Sequence, residues 1–182
     1  LQAEQIKRNE FYRMITPNDK AEFINGEIIF HSPVRLRHNR VGKLLLVLID
    51  AHVRKHQLGY VGYEKLLISL TRNDYEPDIC FFRHDISQTF SPQQMKFPAP
   101  DFIVEILSDT TAKIDREIKF DDYAAHGVKE YWIIDPEPET VEVLALENGR
   151  YELVQRRLPG ETGASRLLPG FEIAVRYLFR GG

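Results

Sequence analysis

The sequence is poor in cysteine. Among 182 residues there is one, Cys80, so no internal disulfide can form and no thiolate cluster can hold zinc. A reducing cytoplasm is the expected setting. No apolar run approaches the roughly 20 residues needed to span a bilayer, so no membrane contact is expected. The first residues, LQAEQIKRNEF, lack the apolar core of a secretory signal; a start at Leu1, without an initiator methionine, is what a trimmed or processed chain would show. Strong charge of one sign is missing too. The formal net charge is −3, which gives no general field for nucleic acid and leaves any such binding to a local patch and to metal ions. Internal repeats and low-complexity tracts are absent. What is there, 43% hydrophobic and 28% charged residues, is the composition of a globular protein, and a single domain over residues 1–182 is expected. A chain of this size buries roughly 70% of the surface its unfolded form exposes.

The chain is organised around Pro100–Pro136, PDFIVEILSDTTAKIDREIKFDDYAAHGVKEYWIIDP. Asp101, Ile103, Glu105 and Leu107 alternate with Phe102, Val104 and Ile106, which predicts a strand. Ser108 to Thr111 offer capping oxygens for a helix over Ala112–His126, ended by Gly127. Glu130–Ile134 then reads as a second strand, apolar on both faces. Strand, helix and strand with short loops predict a βαβ unit whose parallel strands are buried on both sides.

Elsewhere the pattern predicts a helix over Gln2–Met14 and a hairpin, Ala21–Ile24 and Glu27–His31, turning at Asn25-Gly26. A long helix over Val34–Gln57 carries the apolar stripe Val41, Leu44, Leu45, Leu48 and His52. Strands are expected near Tyr60–Glu64 and Lys65–Leu70, as one bulged strand or two, and at Ile79–Arg83. His84–Pro98 is expected to be a long loop. Thr140–Leu146 and Arg150–Gln155 predict a further hairpin, and Phe171–Val175 a last strand before an irregular tail over Arg176–Gly182.

Three side chains carry the chemistry. Glu105 lies within a strand of Phe, Ile, Val and Leu, where a carboxylate without a partner is costly, so it has a partner or binds a metal. Asp78 begins a second apolar strand after Pro77, and two carboxylates from neighbouring strands can share one hard divalent cation. The carbonyl of Ile106 can complete the protein ligands. Lys119, on the following helix, shares a face with Arg116 and Tyr123 and can orient a water or offset phosphate charge. The basic run Arg35, Arg37, His38, Arg40 and Lys43 reads as a solvated helix face or as a phosphate contact. Bland readings stand beside these. Asp78 can be a turn residue after proline, Lys119 can pair with Asp115 or Tyr123, and His38 can be an ordinary surface histidine.

NGEIIFHSP, RHNRVGKLL, YEPDICFF, PDFIVEILSDTT, DREIKFDDYAAHGVKEYWIIDP and TVEVLAL, in that order over about Glu22–Leu146, resemble the Uma family, described as restriction endonucleases of the PD-(D/E)xK superfamily. The resemblance implies an α/β fold: a restriction-endonuclease-like mixed β-sheet core flanked by helices, with an additional C-terminal β-hairpin. It implies a Mg²⁺- or Mn²⁺-dependent endodeoxyribonuclease with Asp78 and Glu105 as metal ligands. The superfamily lysine belongs at position 107, which here is Leu; Lys119 is its expected replacement, with Lys119→Ala expected to abolish cleavage and spare folding and metal binding. Glu27 and His38 also match recurrent family positions and are expected near the cleft. Nucleic acid, DNA foremost, is the implied partner, with Arg35, Arg37 and Arg40 as candidate contacts. A homodimer is expected, joined through the terminal strands or the His84–Pro98 loop. Two other readings remain: a nucleic-acid-binding or regulatory module with weak or lost activity, and an oligomerisation protein whose acids only pair with bases.

Overall fold

The computed structural model describes residues 2–180. The chain opens with helix α1 (Gln2–Met14) and the hairpin of β1 (Ala21–Ile24) and β2 (Glu27–Phe30). Asn25 and Gly26 take φ of 50° and 84°, the left-handed conformations that a two-residue turn between antiparallel strands requires. Helix α2 (Leu36–Lys55) follows, then β3 (Gly59–Tyr63), β4 (Leu67–Ser69), β5 (Asp74–Tyr75) and β6 (Ile79–Arg83). A short turn of helix, α3 (His84–Ser87), and β7 (Lys96–Phe97) punctuate the segment expected to be loop. The central unit consists of β8 (Phe102–Ile106), α4 (Ala112–Arg116), α5 (Ile118–Ala125) and β9 (Glu130–Asp135). The hairpin of β10 (Thr140–Glu147) and β11 (Arg150–Arg157), a small pair of β12 (Thr162–Ala164) and β13 (Glu172–Ala174), and α6 (Val175–Arg180) complete it.

Six strands form the larger sheet in the order β11-β10-β9-β8-β6-β3, with β8 and β9 parallel and the other neighbours antiparallel. The expected C-terminal hairpin thus extends this sheet to one edge. The second sheet has the order β2-β1-β5-β4-β7. Alternation along β6, β8 and β9 feeds two cores. Ile79, Phe81, Val104, Ile106 and Trp132 pack against Val41, Leu45, Ile49 and Val53 of α2. Cys80, Phe82, Ile103, Tyr131 and Ile133 pack on the opposite side with Tyr123 and Ala124 of α5 and with Ile24, Ile68 and Tyr75 of the second sheet. That is why the central strands are apolar on both faces.

Several expectations change in detail. Helix α2 starts after Arg35, and its buried stripe is Val41, Leu45, Ile49 and Val53, so Leu44, Leu48 and His52 lie at its margins. The stretch 60–70 is two strands in different sheets. The helix expected over Ala112–His126 breaks at Glu117, whose φ and ψ are −117° and −75°. The Tyr131 hydroxyl donates to the Asp115 carbonyl at 3.0 Å, taking the acceptor that a continuous helix would offer to the Lys119 amide. The expected tail is helix α6 as far as Arg180, and its last two glycines lie outside the described residues. Among the described residues no helix is long and apolar enough to cross a membrane.

Two features position the site. A Cβ on Gly42 would lie 3.2 Å from the Ile106 side chain, so glycine lets α2 settle close over β8 and bring His38 down to the strand end. Helix α1 is held by Arg8, whose guanidinium donates to both oxygens of Asp74 at 2.6 and 2.8 Å and to the carbonyls of Leu70 and Thr71. Asp74 is fully buried and shares a β1–β5 register pair with Phe23. Removing the cation strands a buried carboxylate. Arg8→Met is therefore expected to destabilise the protein by roughly 3–5 kcal/mol in urea unfolding, and Arg8→Met with Asp74→Leu to recover most of that loss.

Candidate active site

The β6–β8 register pairs Ile79 with Val104, which sets Asp78 beside Glu105. Each strand's backbone serves the other's carboxylate. The Ile106 amide donates to Asp78 Oδ2 at 2.8 Å, and the Asp78 amide reaches Glu105 Oε2 at 3.4 Å. Glu105 Oε1 accepts from Lys119 Nζ at 2.9 Å and from the Tyr123 hydroxyl at 3.0 Å. Lys119 Nζ also lies 3.0 Å from Glu22 Oε1 and 3.1 Å from Asp115 Oδ1. The Asp115 contact lacks hydrogen-bond alignment, so it acts through charge. Glu22 in turn takes the Glu76 amide at 2.9 Å and contacts His31 Nε2 at 3.0 Å.

Asp78 has a second set of neighbours on the open side. Lys20 Nζ is 3.1 Å from Oδ1, and His38 Nε2 is 3.4 Å from Oδ2. A cavity of about 40 Å³, bordered by Lys20, His38, Asp78, Glu105, Ile106 and Lys119, has room for a water or a small ion. A larger recess of about 350 Å³ opens beside it, lined by Val34, Arg35, Arg37, His38, Leu107 and Pro136 among others.

Acids outnumber ammonium groups around the cavity. Glu22, Asp78, Glu105 and Asp115 are all buried, and the ammonium groups beside them are those of Lys119 and Lys20. Burial pushes the Glu105 carboxyl up, and although Lys119 opposes this, the neighbouring Asp115, Asp78 and Glu22 leave it at about 8. Burial acts on Glu22 too, but Lys119 and His31 overcome it and hold Glu22 at about 2. The difference lies in the charged neighbours: three acids oppose Lys119 at Glu105, whereas His31 and the Glu76 amide add to Lys119 at Glu22. Asp78 is also held well below the usual carboxylate range, because His38, Lys20 and the Ile106 amide outweigh its burial. Three carboxylates raise Lys119 well above its ordinary value against the effect of burial, so it stays a cation.

The structure brings Asp78, Glu105, Ile106, Lys119, Tyr123 and His38 together. It separates the others. Glu27, expected near the cleft, is exposed on β2 next to the turn; Glu22, across the hairpin, is the acid that faces Lys119. Arg116, the last residue of α4, turns to Glu142 at 2.7 Å and Asp135 at 3.8 Å. The break at Glu117 separates it from the face that carries Lys119 and Tyr123. Arg35 pairs with Asp109, Arg37 with Glu137, and Arg40 is exposed, so the basic run lies on the rim. The expectation that Lys119→Ala would spare folding fails on burial, since removing this cation leaves three enclosed carboxylates without it. Lys20, Glu22 and His31 escaped the sequence reading. Glu22 carries the signal that found Glu105, an acid inside an apolar strand; Lys20 carries none, because only the fold brings it to Asp78.

With divalent ions chelated, the native protein keeps the Glu105 proton up to about pH 8, whereas the unfolded chain releases it near pH 4.5. Over that window the native state binds more protons, so stability falls as pH rises, by at most about 1.4 kcal/mol per pH unit for one proton. Glu76, pushed up to about 7 by burial, adds a contribution of the same sign. Glu22 acts below the window, its stabilisation being lost as pH falls towards about 2. Urea unfolding at pH 5.5 and pH 8 is expected to show the fall, and Glu105→Gln to reduce its slope.

Comparison with known proteins identifies the fold and the family. A crystal structure of a "putative nuclease belonging to DUF820" from Anabaena variabilis ATCC 29413 superposes with a TM-score of 0.79 at 20% identity, covering 94% of this chain and 96% of that one. It shows that the fold is the restriction-endonuclease-like nuclease fold. An uncharacterised protein, sll1609, of Synechocystis sp. (strain PCC 6803) is 30% identical over 135 residues, 73% of either chain. The family model for Uma2, described as "Putative restriction endonuclease", matches residues 8–176, reaching beyond the motifs on both sides. This chain belongs to the Uma2 family.

Proposed function

We propose that the protein is a divalent-metal-dependent endodeoxyribonuclease. The observation that carries this reading is the excess of buried carboxylate around Lys119 and Lys20, with two of those acids, Asp78 and Glu105, tied to each other across β6 and β8. Glu105 Oε2 has only a long contact to the Asp78 amide, so it can turn to a cation. Among the described residues no group of three or more His, Cys, Asp and Glu side chains forms a metal cluster. Two carboxylates and the Ile106 carbonyl are a set of hard oxygens suited to Mg²⁺ or Mn²⁺, with water completing the shell. Such an ion supplies Lewis acidity at a phosphoryl oxygen.

The chain's own groups supply the rest. Asp78 and Glu105 hold the ion and fix the point of attack. Tyr123 and Lys119 fix the Glu105 rotamer from behind. The recess beside the cavity, rimmed by Arg35 and Arg37, supports a path for the nucleic-acid strand, with Arg40 on the same exposed face. Hydrolysis joins a water oxygen to phosphorus and breaks the bond from phosphorus to the leaving sugar oxygen. One water proton passes to solvent, and the leaving oxygen takes one up.

A second reading, a binding module on the same fold, is favoured by the complete enclosure of Lys119 and by Leu107, which is packed into the core. Cleavage of a labelled DNA duplex and of a single strand in Mg²⁺ separates the two. Asp78→Asn and Glu105→Gln are each expected to lower the rate by at least about 100-fold and to weaken Mn²⁺ binding. DNA binding without cutting by the unmodified protein establishes the module instead.

We further propose a homodimer, formed through the open edge of the larger sheet at β11, where Leu153 is exposed. Light scattering at micromolar concentration is expected to give twice the chain mass, and a monomer rejects this assembly.

A further inference from the structure

We propose that Lys20, rather than Lys119, is the cation that meets the scissile phosphate, and that Lys119 is a positioning residue acting through Glu105. The inference rests on the nuclease reading above. It follows from the donors each ammonium group has left. A lysine ammonium has three N–H donors. Around Lys119 three carboxylates, Glu22, Glu105 and Asp115, lie within 3.1 Å, and the residue is 2% exposed. The ammonium is enclosed by carboxylates, and a phosphate oxygen would have to displace one of them to reach it. Leu107 is no substitute, because it is packed with Tyr123, Tyr131 and Ile133 on the core side of β8.

Lys20 has the opposite arrangement. Its one carboxylate partner is Asp78, at 3.1 Å, and its side chain is 24% exposed where that of Lys119 is 3%. Two donors remain for a substrate. The side chain borders the cavity that Asp78 and Glu105 share. Its backbone is anchored, with the His31 amide donating to the Lys20 carbonyl at 2.9 Å and the Ala21 amide to Glu76 at 3.1 Å. The other basic side chains nearby are placed differently. Arg116, Arg35 and Arg37 are paired outside the cavity, and His38 approaches the other oxygen of Asp78.

Were Asp78 and Glu105 to hold a divalent ion, Lys20 would be released from Asp78 and its ammonium would be free for a non-bridging phosphate oxygen. Lys20 then donates hydrogen bonds to the charge that grows on that oxygen, and neither gains nor loses a proton. Lysine suits this role as a compact point charge on a flexible stem.

The test compares Lys20→Met, Lys20→Arg and Lys119→Met in the full chain. Four readouts are used: Mn²⁺ binding by electron paramagnetic resonance, binding of a fluorescent oligonucleotide in Ca²⁺, cleavage in Mg²⁺, and Tm by thermal unfolding. Lys20→Met is expected to lower kcat by about 100-fold and to weaken oligonucleotide binding several-fold, with Mn²⁺ affinity kept or raised and the fold intact. Lys20→Arg should recover part of both losses. Lys119→Met is expected to lower Tm and Mn²⁺ affinity together. Unchanged cleavage by Lys20→Met overturns the proposal, as does a Lys119→Met variant that folds and binds Mn²⁺ normally yet does not cut. If the unmodified protein binds the oligonucleotide but never cuts it, the nuclease reading fails by itself. Oligonucleotide binding then decides for Lys20, and equal affinity in Lys20→Met overturns its role. Absence of oligonucleotide binding by the unmodified protein overturns both.

Discussion

One buried ammonium group joins the parts of this protein. Lys119 Nζ lies within 3.1 Å of Glu22 on β1, Glu105 on β8 and Asp115 on α4. The two sheets and the broken helix therefore share a single charge. Burying three carboxylates around one cation is expensive, and replacing such groups by well-packed apolar side chains is often neutral or stabilising in other proteins. The arrangement is best understood through what it fixes. Glu105 is locked at its rear oxygen by Lys119 and Tyr123, while its other oxygen is left towards Asp78. The stabilising partner and the reactive surface are on opposite sides of one carboxylate.

That division explains the unequal acidities of the acids. Glu22, where His31 and the Glu76 amide add to Lys119, is held at about 2, whereas Glu105, where three acids oppose Lys119, stands at about 8. Burial and the neighbouring acids therefore dispose Glu105 to keep its proton. Asp115 and Lys119, four residues apart, both turn inward on either side of the helix break at Glu117.

Much of the fold was legible in the sequence. Glycine and Asn-Gly punctuation gave the hairpins, and strands apolar on both faces gave a central unit covered on two sides. The helix break was not legible, since no proline or glycine marks it and its cause is a tyrosine hydroxyl from β9. The site was legible where a residue violated its surroundings. Glu105 stood out in an apolar strand, and Glu22 in AEFI offered the same signal. The hairpin register, which sends Glu22 inward and leaves Glu27 beside the turn, could not be read without the second sheet. Lys20 was invisible, because 58 residues separate it from Asp78 and nothing local distinguishes it from a solvated lysine.

The cluster around Lys119 also sets an order of events during synthesis. Its members come from distant parts of the chain, and Glu22 lies 97 positions before Lys119 (119 − 22). Contacts this distant in sequence close late, since the loop between them must be ordered first. A nascent chain that has emerged only as far as β6 carries Glu22 and Asp78 but neither Glu105 nor Lys119. The central carboxylate pair cannot form until β8 has joined β6, and it is not locked until α5 has docked. An unfinished chain therefore lacks the assembled carboxylate centre until α5 has been made and docked.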